Sequence, residues 1–326
     1  MRLPGADRRL VLKRLGQAGA VLGTSGALGA LGLFCPGRFR HGGAARGLRD
    51  LRVADDPGRP PLVVARGGSP ALLVRAAVDA VGGMERFVRA GETVLVKPNM
   101  AWDRTPEQGA DTNPEIVAEV VRQCQSARAA RVIVAENPVH DASRVARRSG
   151  IAAAVAASGI ELTLPGRSGF EWTTIGGSLL DRWEVMSVLF EADRLINLPI
   201  VKHHSLSRLT CGLKNHMGLL GGSRGRLHQE IHPSLVDLAA AFRPTLTIVD
   251  ATRVMLRNGP TGGRLEDVRT TNLVAAGTDP VACDAWAARQ LGLDPREVDH
   301  LVQAEGRGLG RLAAGAGAVL EVAANG

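Results

Sequence analysis

The 326-residue chain carries 40 basic and 32 acidic side chains, a formal net charge of +8, and 45% hydrophobic residues, which leaves room for one large domain or two closely joined lobes around a sizeable core. Residues 1–45 hold seven basic residues against Asp7, and so +6 of the total; the remainder is nearly balanced, which argues against nucleic-acid binding through bulk charge. Four cysteines, Cys35, Cys124, Cys211 and Cys283, include no Cys-x-x-Cys pair, which excludes iron-sulfur and zinc-ribbon motifs, so no iron-sulfur cluster is expected.

The N-terminus reads as a leader. Arg8-Arg9 precedes a Gly/Ala-rich apolar run over 15–34, similar to a twin-arginine export signal. Gly43-Ala44-Ala45 offers small residues for cleavage, and Phe34 before Cys35 spoils a lipoprotein signal. The expected destination is periplasmic or extracellular, with the twin-arginine export machinery as a partner and no stable membrane domain after signal removal. An uncleaved signal would leave a membrane anchor, although its many glycines make a weak spanning helix. Residues 46–61, rich in Arg, Asp, Gly and Pro, are expected as a linker.

From residue 62 to 326 a single α/β domain is expected. Short apolar runs at 62–65, 93–96, 131–135, 194–197, 246–249 and 272–275 suit buried strands. Helical patterns cover 71–89, 114–127, 142–158 and 281–291. Asn113-Pro114 and Asp279-Pro280 each supply a cap followed by proline in the first turn. Such alternation predicts a mainly parallel sheet with helices on both faces, and ligands then sit beyond the carboxyl ends of its strands.

Only four of the basic residues are lysine, and outside the leader they are Lys97, Lys202 and Lys214. Each keeps company with Asn or His: Lys97-Pro98-Asn99, Lys202-His203-His204 and Lys214-Asn215-His216. Lysine is a compact donor whose pKa falls on burial, whereas arginine stays charged; in a chain that otherwise prefers arginine, these lysines are candidates for chemistry. Five of the eight histidines fall between His203 and His232, and imidazole serves as metal ligand or proton carrier. Lys97, Lys202, His204 and Lys214 are therefore candidate catalytic residues. Asn99, Asn215, Arg224 and Glu136 are candidates for binding a small anionic ligand. His204, His228 and Asp250 are candidate ligands for one divalent metal ion. The stretch His228-Gln229-Glu230-Ile231-His232 departs from His-Glu-x-x-His, and Pro233 disfavours a shared helical face, so a helix is expected to begin at Pro233. Gly221-Gly222-Ser223-Arg224-Gly225 fits Gly-x-Ser-x-Gly, which makes a serine hydrolase using Ser223 an alternative, subject to a strand standing just before it.

Val96-Lys97-Pro98-Asn99, Thr112-Asn113-Pro114-Glu115, Pro199-Ile200-Val201-Lys202-His203-His204, Thr210-Cys211-Gly212-Leu213-Lys214-Asn215-His216-Met217-Gly218, Val249-Asp250-Ala251, Gly259-Pro260 and Asp279-Pro280-Val281-Ala282-Cys283-Asp284 together resemble the family catalogued as domain of unknown function 362, in its exported branch without the ferredoxin insert. The resemblance spans roughly 62–310. It implies an α/β domain with redox or metal chemistry as candidate activities. The resulting expectation is an exported enzyme acting on a small anionic substrate through a Lys/His/Asn pocket, metal-assisted or redox. A periplasmic ligand- or metal-binding protein without turnover is the alternative.

Overall fold

A computed structural model describes residues 45–54, 56–166, 168–313 and 319–324. The leader expected over 1–45, with Cys35, lies outside the described residues except for Ala45. In chain order the elements begin with β1 (Arg46–Gly47), β2 (Leu62–Arg66), α1 (Pro70–Ala80), α2 (Met84–Phe87), β3 (Thr93–Pro98), α3 (Pro114–Ser126), β4 (Arg131–Ala135), α4 (Ala142–Arg148), α5 (Ile151–Ala157) and β5 (Leu162–Thr163). They continue with β6 (Phe170–Thr174), β7 (Arg182–Met186), β8 (Arg194–Leu198), β9 (Ile200–His204), β10 (Arg208–Thr210), α6 (Gly212–Asn215) and α7 (Ile231–Ala241). The last are β11 (Leu246–Met255), β12 (Val268–Gly277), α8 (Pro280–Gln290), α9 (Asp299–Gly306) and β13 (Val319–Ala323).

The large sheet runs β13-β2-β12-β11-β8-β3-β4-β5, with β9 beside β11 and β10 paired to β9. Strand β12 is antiparallel to β11 and β2, and β10 to β9; the other pairings in this sheet are parallel. The expected α/β fold with a mainly parallel sheet is therefore present. Side chains alternate across it with the period of two that strand geometry imposes. Val63, Ala65, Val94, Val96, Ile196, Leu198 and Ile248 join α1–α5 in one core. Leu62, Val64, Val201, Val249 and Ala251 join α6–α9 in the other. Each buried Val, Leu or Ile contributes about 1.5–3 kcal/mol, and helices cover both faces.

The capped helices form where the capping residues stand. Asn113 accepts from the Glu115 N–H at the head of α3, and Asp279 from the Ala282 N–H at the head of α8. Two expected helices are broken instead. The pattern over 71–89 splits at Gly82 and Gly83, with φ of 123° and 82°, and that over 142–158 splits at Gly150, with φ of 76°; left-handed backbone of this kind favours glycine and ends a helical run. Helix α7 starts at Ile231, two residues before the proline expected to open it.

The stretch expected as a linker is packed. Arg46–Gly47 pairs with β6 in a three-stranded sheet with β7, Leu51 is buried, and its carbonyl accepts from Thr245 Oγ1. This small sheet holds the segment after α6, because Gly221 N donates to Glu184 O (2.9 Å) and Trp183 Nε1 donates to Gly221 O (3.0 Å).

Candidate functional site

Strands β3, β4 and β8 lie side by side and parallel, with Lys97 in register with Asn197. Chain order runs outward from β3 to β4 and β5, then returns to β8 on the other side of β3. Such a reversal opens a crevice beyond the carboxyl ends of the strands. Lys97, Asn197 and Glu136, the residue following β4, stand at those ends.

Beneath the crevice is a closed polar network. The Lys97 ammonium donates to Glu136 Oε2 (2.7 Å), Pro98 O (2.8 Å) and Asn215 Oδ1 (3.0 Å), which uses all three of its hydrogens. Asn215 Nδ2 donates to Asn197 Oδ1 (2.8 Å) and to Lys97 O (3.2 Å). Asn215 Oδ1 also accepts from Asn99 Nδ2 (2.9 Å), while Asn99 Oδ1 accepts from the Lys202 ammonium (2.8 Å). A line of two asparagines thus joins two buried lysines. Burial pushes Lys97 down, against the pull of Glu136. Gly218 closes the turn over this pair, since a Cβ there would collide with Glu136 Oε1 and stand 2.6 Å from Lys97 Nζ.

Lys202 also donates to Ala110 O, and its nearby carboxylate is Asp111. Asp111 Oδ1 accepts from Ala101 N (2.7 Å) and Trp102 N (3.1 Å), whereas its Oδ2 is buried without a partner among the described residues. Burial drives both groups toward their neutral forms, against their mutual attraction.

Above the network opens a cavity of about 230 Å³. Its polar wall includes Lys202, Lys214, His204, His228 and Arg224; its apolar wall includes Trp102, Val139, Met217 and Pro260. The Lys214 ammonium has only the Met217 sulfur as a hydrogen-bond partner among the described residues, at 3.7 Å, and no carboxylate within ion-pair distance. Burial, then the charges of Lys202 and Arg224, bring it down to about 7. Arg224 donates to the carbonyls of Met217 (3.2 Å) and Pro138 (2.6 Å), tying two cavity loops together.

The two histidines have opposite tautomers. His204 Nδ1 accepts from the backbone N–H groups of Leu206 and Ser207, both at 3.1 Å, so the neutral ring carries its proton on Nε2. Burial, followed by the Lys214 and His228 charges, holds its pKa down to about 2, and it stays neutral at working pH. His228 Nδ1 lies 3.1 Å from Gly225 O; a carbonyl only accepts, so Nδ1 is the donor and Nε2 keeps a lone pair. Burial and Lys214 lower the His228 pKa as well. The rings stack with centroids 5.8 Å apart. One imidazole thus offers an N–H and the other a base.

Several expectations are corrected. Lys202 and His204 lie within β9, a strand that the apolar runs did not mark. The metal set His204, His228 and Asp250 does not assemble. Asp250 is absent from the cavity wall, and its oxygens accept from Asn113 N (2.8 Å), Thr252 N (2.8 Å) and Thr252 Oγ1 (2.7 Å), while the two N–H groups on His204 Nδ1 leave a protonated nitrogen where a ligand lone pair would be needed. No group of three His, Cys, Asp or Glu side chains suited to a metal ion occurs among the described residues. The hydrolase reading fails too. Ser223 is exposed and sits between the single 3₁₀ turn His216–Leu219 and the 3₁₀ segment Arg224–Glu230, without the strand that a nucleophile elbow requires. His232 stands apart against His300, with ring centroids 5.5 Å apart, and His216 is buried against Phe242. Sequence reasoning missed Asn197, Asp111 and Trp102. Asp111, adjoining Thr112-Asn113-Pro114, had a signal in its position; Trp102 had none beyond its nearness to Asn99.

The sequence model of the family described as Domain of unknown function (DUF362) matches residues 94–289, a span that contains every residue of this network and cavity. Thylakoid-associated protein sll1697 of Synechocystis sp. is 30% identical over 256 residues, covering 76% of this chain and 78% of that protein.

Proposed function

The chain belongs to the domain of unknown function 362 family, and from that premise we propose that it is an exported enzyme that binds a small anionic substrate in the crevice beyond β3 and β8. The observation that carries this reading is Lys214: a half-buried cation at a cavity wall, beside Lys202 and Arg224, with no carboxylate partner among the described residues. Burying like charges together costs free energy that a bound anion would offset. The apolar wall of Trp102, Val139 and Met217 suits a ligand with a hydrocarbon portion.

The imidazole pair supports turnover over storage. A binding site needs the cations, whereas a neutral N–H donor on His204 and a base on the His228 ring stacked beside it are the equipment of proton transfer to and from a substrate oxygen or carbon. Export is supported by Arg8-Arg9 and the apolar run that follows. No helix among the described residues is long and apolar enough to cross a membrane, and a relative named for association with thylakoids is in keeping with work at a membrane surface.

Thermal melting against a panel of small carboxylates and inorganic phosphate tests the reading. At least one anion is expected to raise the midpoint saturably. Lys214→Gln is expected to weaken that binding about tenfold or more, the range for losing a charge-assisted hydrogen bond. Absence of any saturable anion, or equal affinity in Lys214→Gln, would overturn it.

A further inference from the structure

We propose that Lys214 is a nucleophile that captures the carbonyl carbon of a small 2-oxo acid as an imine, an inference that rests on the anion-binding reading above and names its substrate class. Three features of the cavity carry it. First, the three lysines differ in what holds them: Lys97 has every hydrogen engaged and Lys202 is tied to Asn99 and Ala110, whereas the one hydrogen-bond partner of Lys214 among the described residues is a thioether. An amine that must attack carbon needs its lone pair unengaged. Second, the neighbouring cations Lys202 and Arg224 line the same wall and suit the carboxylate of a 2-oxo acid, leaving its carbonyl for Lys214. Third, His204 offers an N–H to the carbonyl oxygen and His228 offers a base to the nitrogen, both from the same cavity.

The step balances without an added reagent. The Lys214 Nζ lone pair forms the C–N bond, and the carbonyl π pair moves onto oxygen, where the His204 N–H stabilises it. Two protons leave Nζ in succession, are carried by His228 Nε2, and end on that oxygen, which departs as water. His228 finishes neutral, and the product is a C=N bond between Lys214 and the former carbonyl carbon. A lysine at about 7 has on the order of a thousandfold more neutral amine at pH 7 than an ordinary lysine, which adds to the geometric argument.

Trapping with pyruvate or glyoxylate and cyanoborohydride on the full chain tests this, followed by peptide mapping by mass. The four lysines of the sequence make the map simple. The expected result is reductive labelling of Lys214 ahead of Lys97, Lys202 and any other amine, with a rate that rises as pH passes through about 7, and loss of that label in Lys214→Arg. Labelling of the wild-type chain is decisive by itself, so a poorly folding variant does not blunt the test. Adducts on other amines only, or no adduct at all, overturn the inference. Melting with the same 2-oxo acids separates the two readings: saturable stabilisation without an adduct leaves anion binding standing and removes the imine.

Discussion

At the residue scale, the lysines divide into roles that their shared company with Asn and His did not distinguish. Lys97 is saturated and serves as a post: its ammonium gathers Glu136, Asn215 and the Pro98 carbonyl, and through Asn99 the line reaches Lys202. Lys214 lines the cavity wall. Their presence at a site was legible because a chain that favours arginine kept them, but their division of labour was not, since it depends on which acceptors lie within reach. Glu136 is the carboxylate that pairs with Lys97 in the interior and opposes the downward push of burial on its pKa. Glu136→Gln is expected to lower unfolding free energy by about 3 kcal/mol, as for a buried pair stripped of one partner; denaturant unfolding with an unchanged midpoint would show that Lys97 tolerates burial alone.

At the element scale, the strands were legible where they are central and buried. The runs at 93–96, 131–135 and 194–197 are β-branched and apolar because both faces are covered, and they became β3, β4 and β8. Strands β6, β7, β9 and β10 escaped notice because they are half-exposed or carry the polar residues of the site itself, as Ile200–His204 does. The helix breaks at Gly82, Gly83 and Gly150 were written as glycines inside otherwise helical patterns. The turn after α6 illustrates what spacing alone withholds. Gly218 lies against the Lys97–Glu136 pair, so Gly218→Ala must push the turn off the network. A loss of about 2 kcal/mol is expected, typical of overpacking, together with weakened anion affinity. Retained melting temperature and affinity would mean the turn can shift freely.

At the scale of the whole molecule, both faces of the sheet are covered and several ionisable groups are sealed in. His204, His216 and His300 are held by burial to about 2, 3 and 3. Their folded values lie below the ordinary histidine value, so the stability they contribute is present above about 6.5 and is lost as pH falls through the interval toward the folded values. His216 isolates the effect, because neither ring nitrogen has a partner among the described residues and it is not part of the cavity wall. At pH 5 its neutral burial costs about 2 kcal/mol relative to pH 8. His216→Leu is expected to flatten the fall in melting temperature between pH 8 and pH 5, and an identical fall in the variant would assign the acid sensitivity elsewhere.

The sequence by itself determined the α/β class, the parallel core strands, the caps of α3 and α8, and the identity of the lysines and histidines worth watching, because each follows from local periodicity, capping chemistry or composition. Only the tertiary structure decided that Asp250 stands outside the site, that Ser223 has no elbow, that His204 and His228 present opposite nitrogens, and that among the described residues Lys214 meets only a thioether where Lys97 and Lys202 meet oxygen acceptors. The place of Asp250 and the engagement of Lys97 and Lys202 depend on hydrogen-bond partners separated by about ninety residues or more, such as Lys97 and Asn215, and on a reversal of strand order that brings the carboxyl ends of β3 and β8 together; the histidine tautomers rest on backbone groups two or three residues away, in turns whose shape the surrounding fold sets.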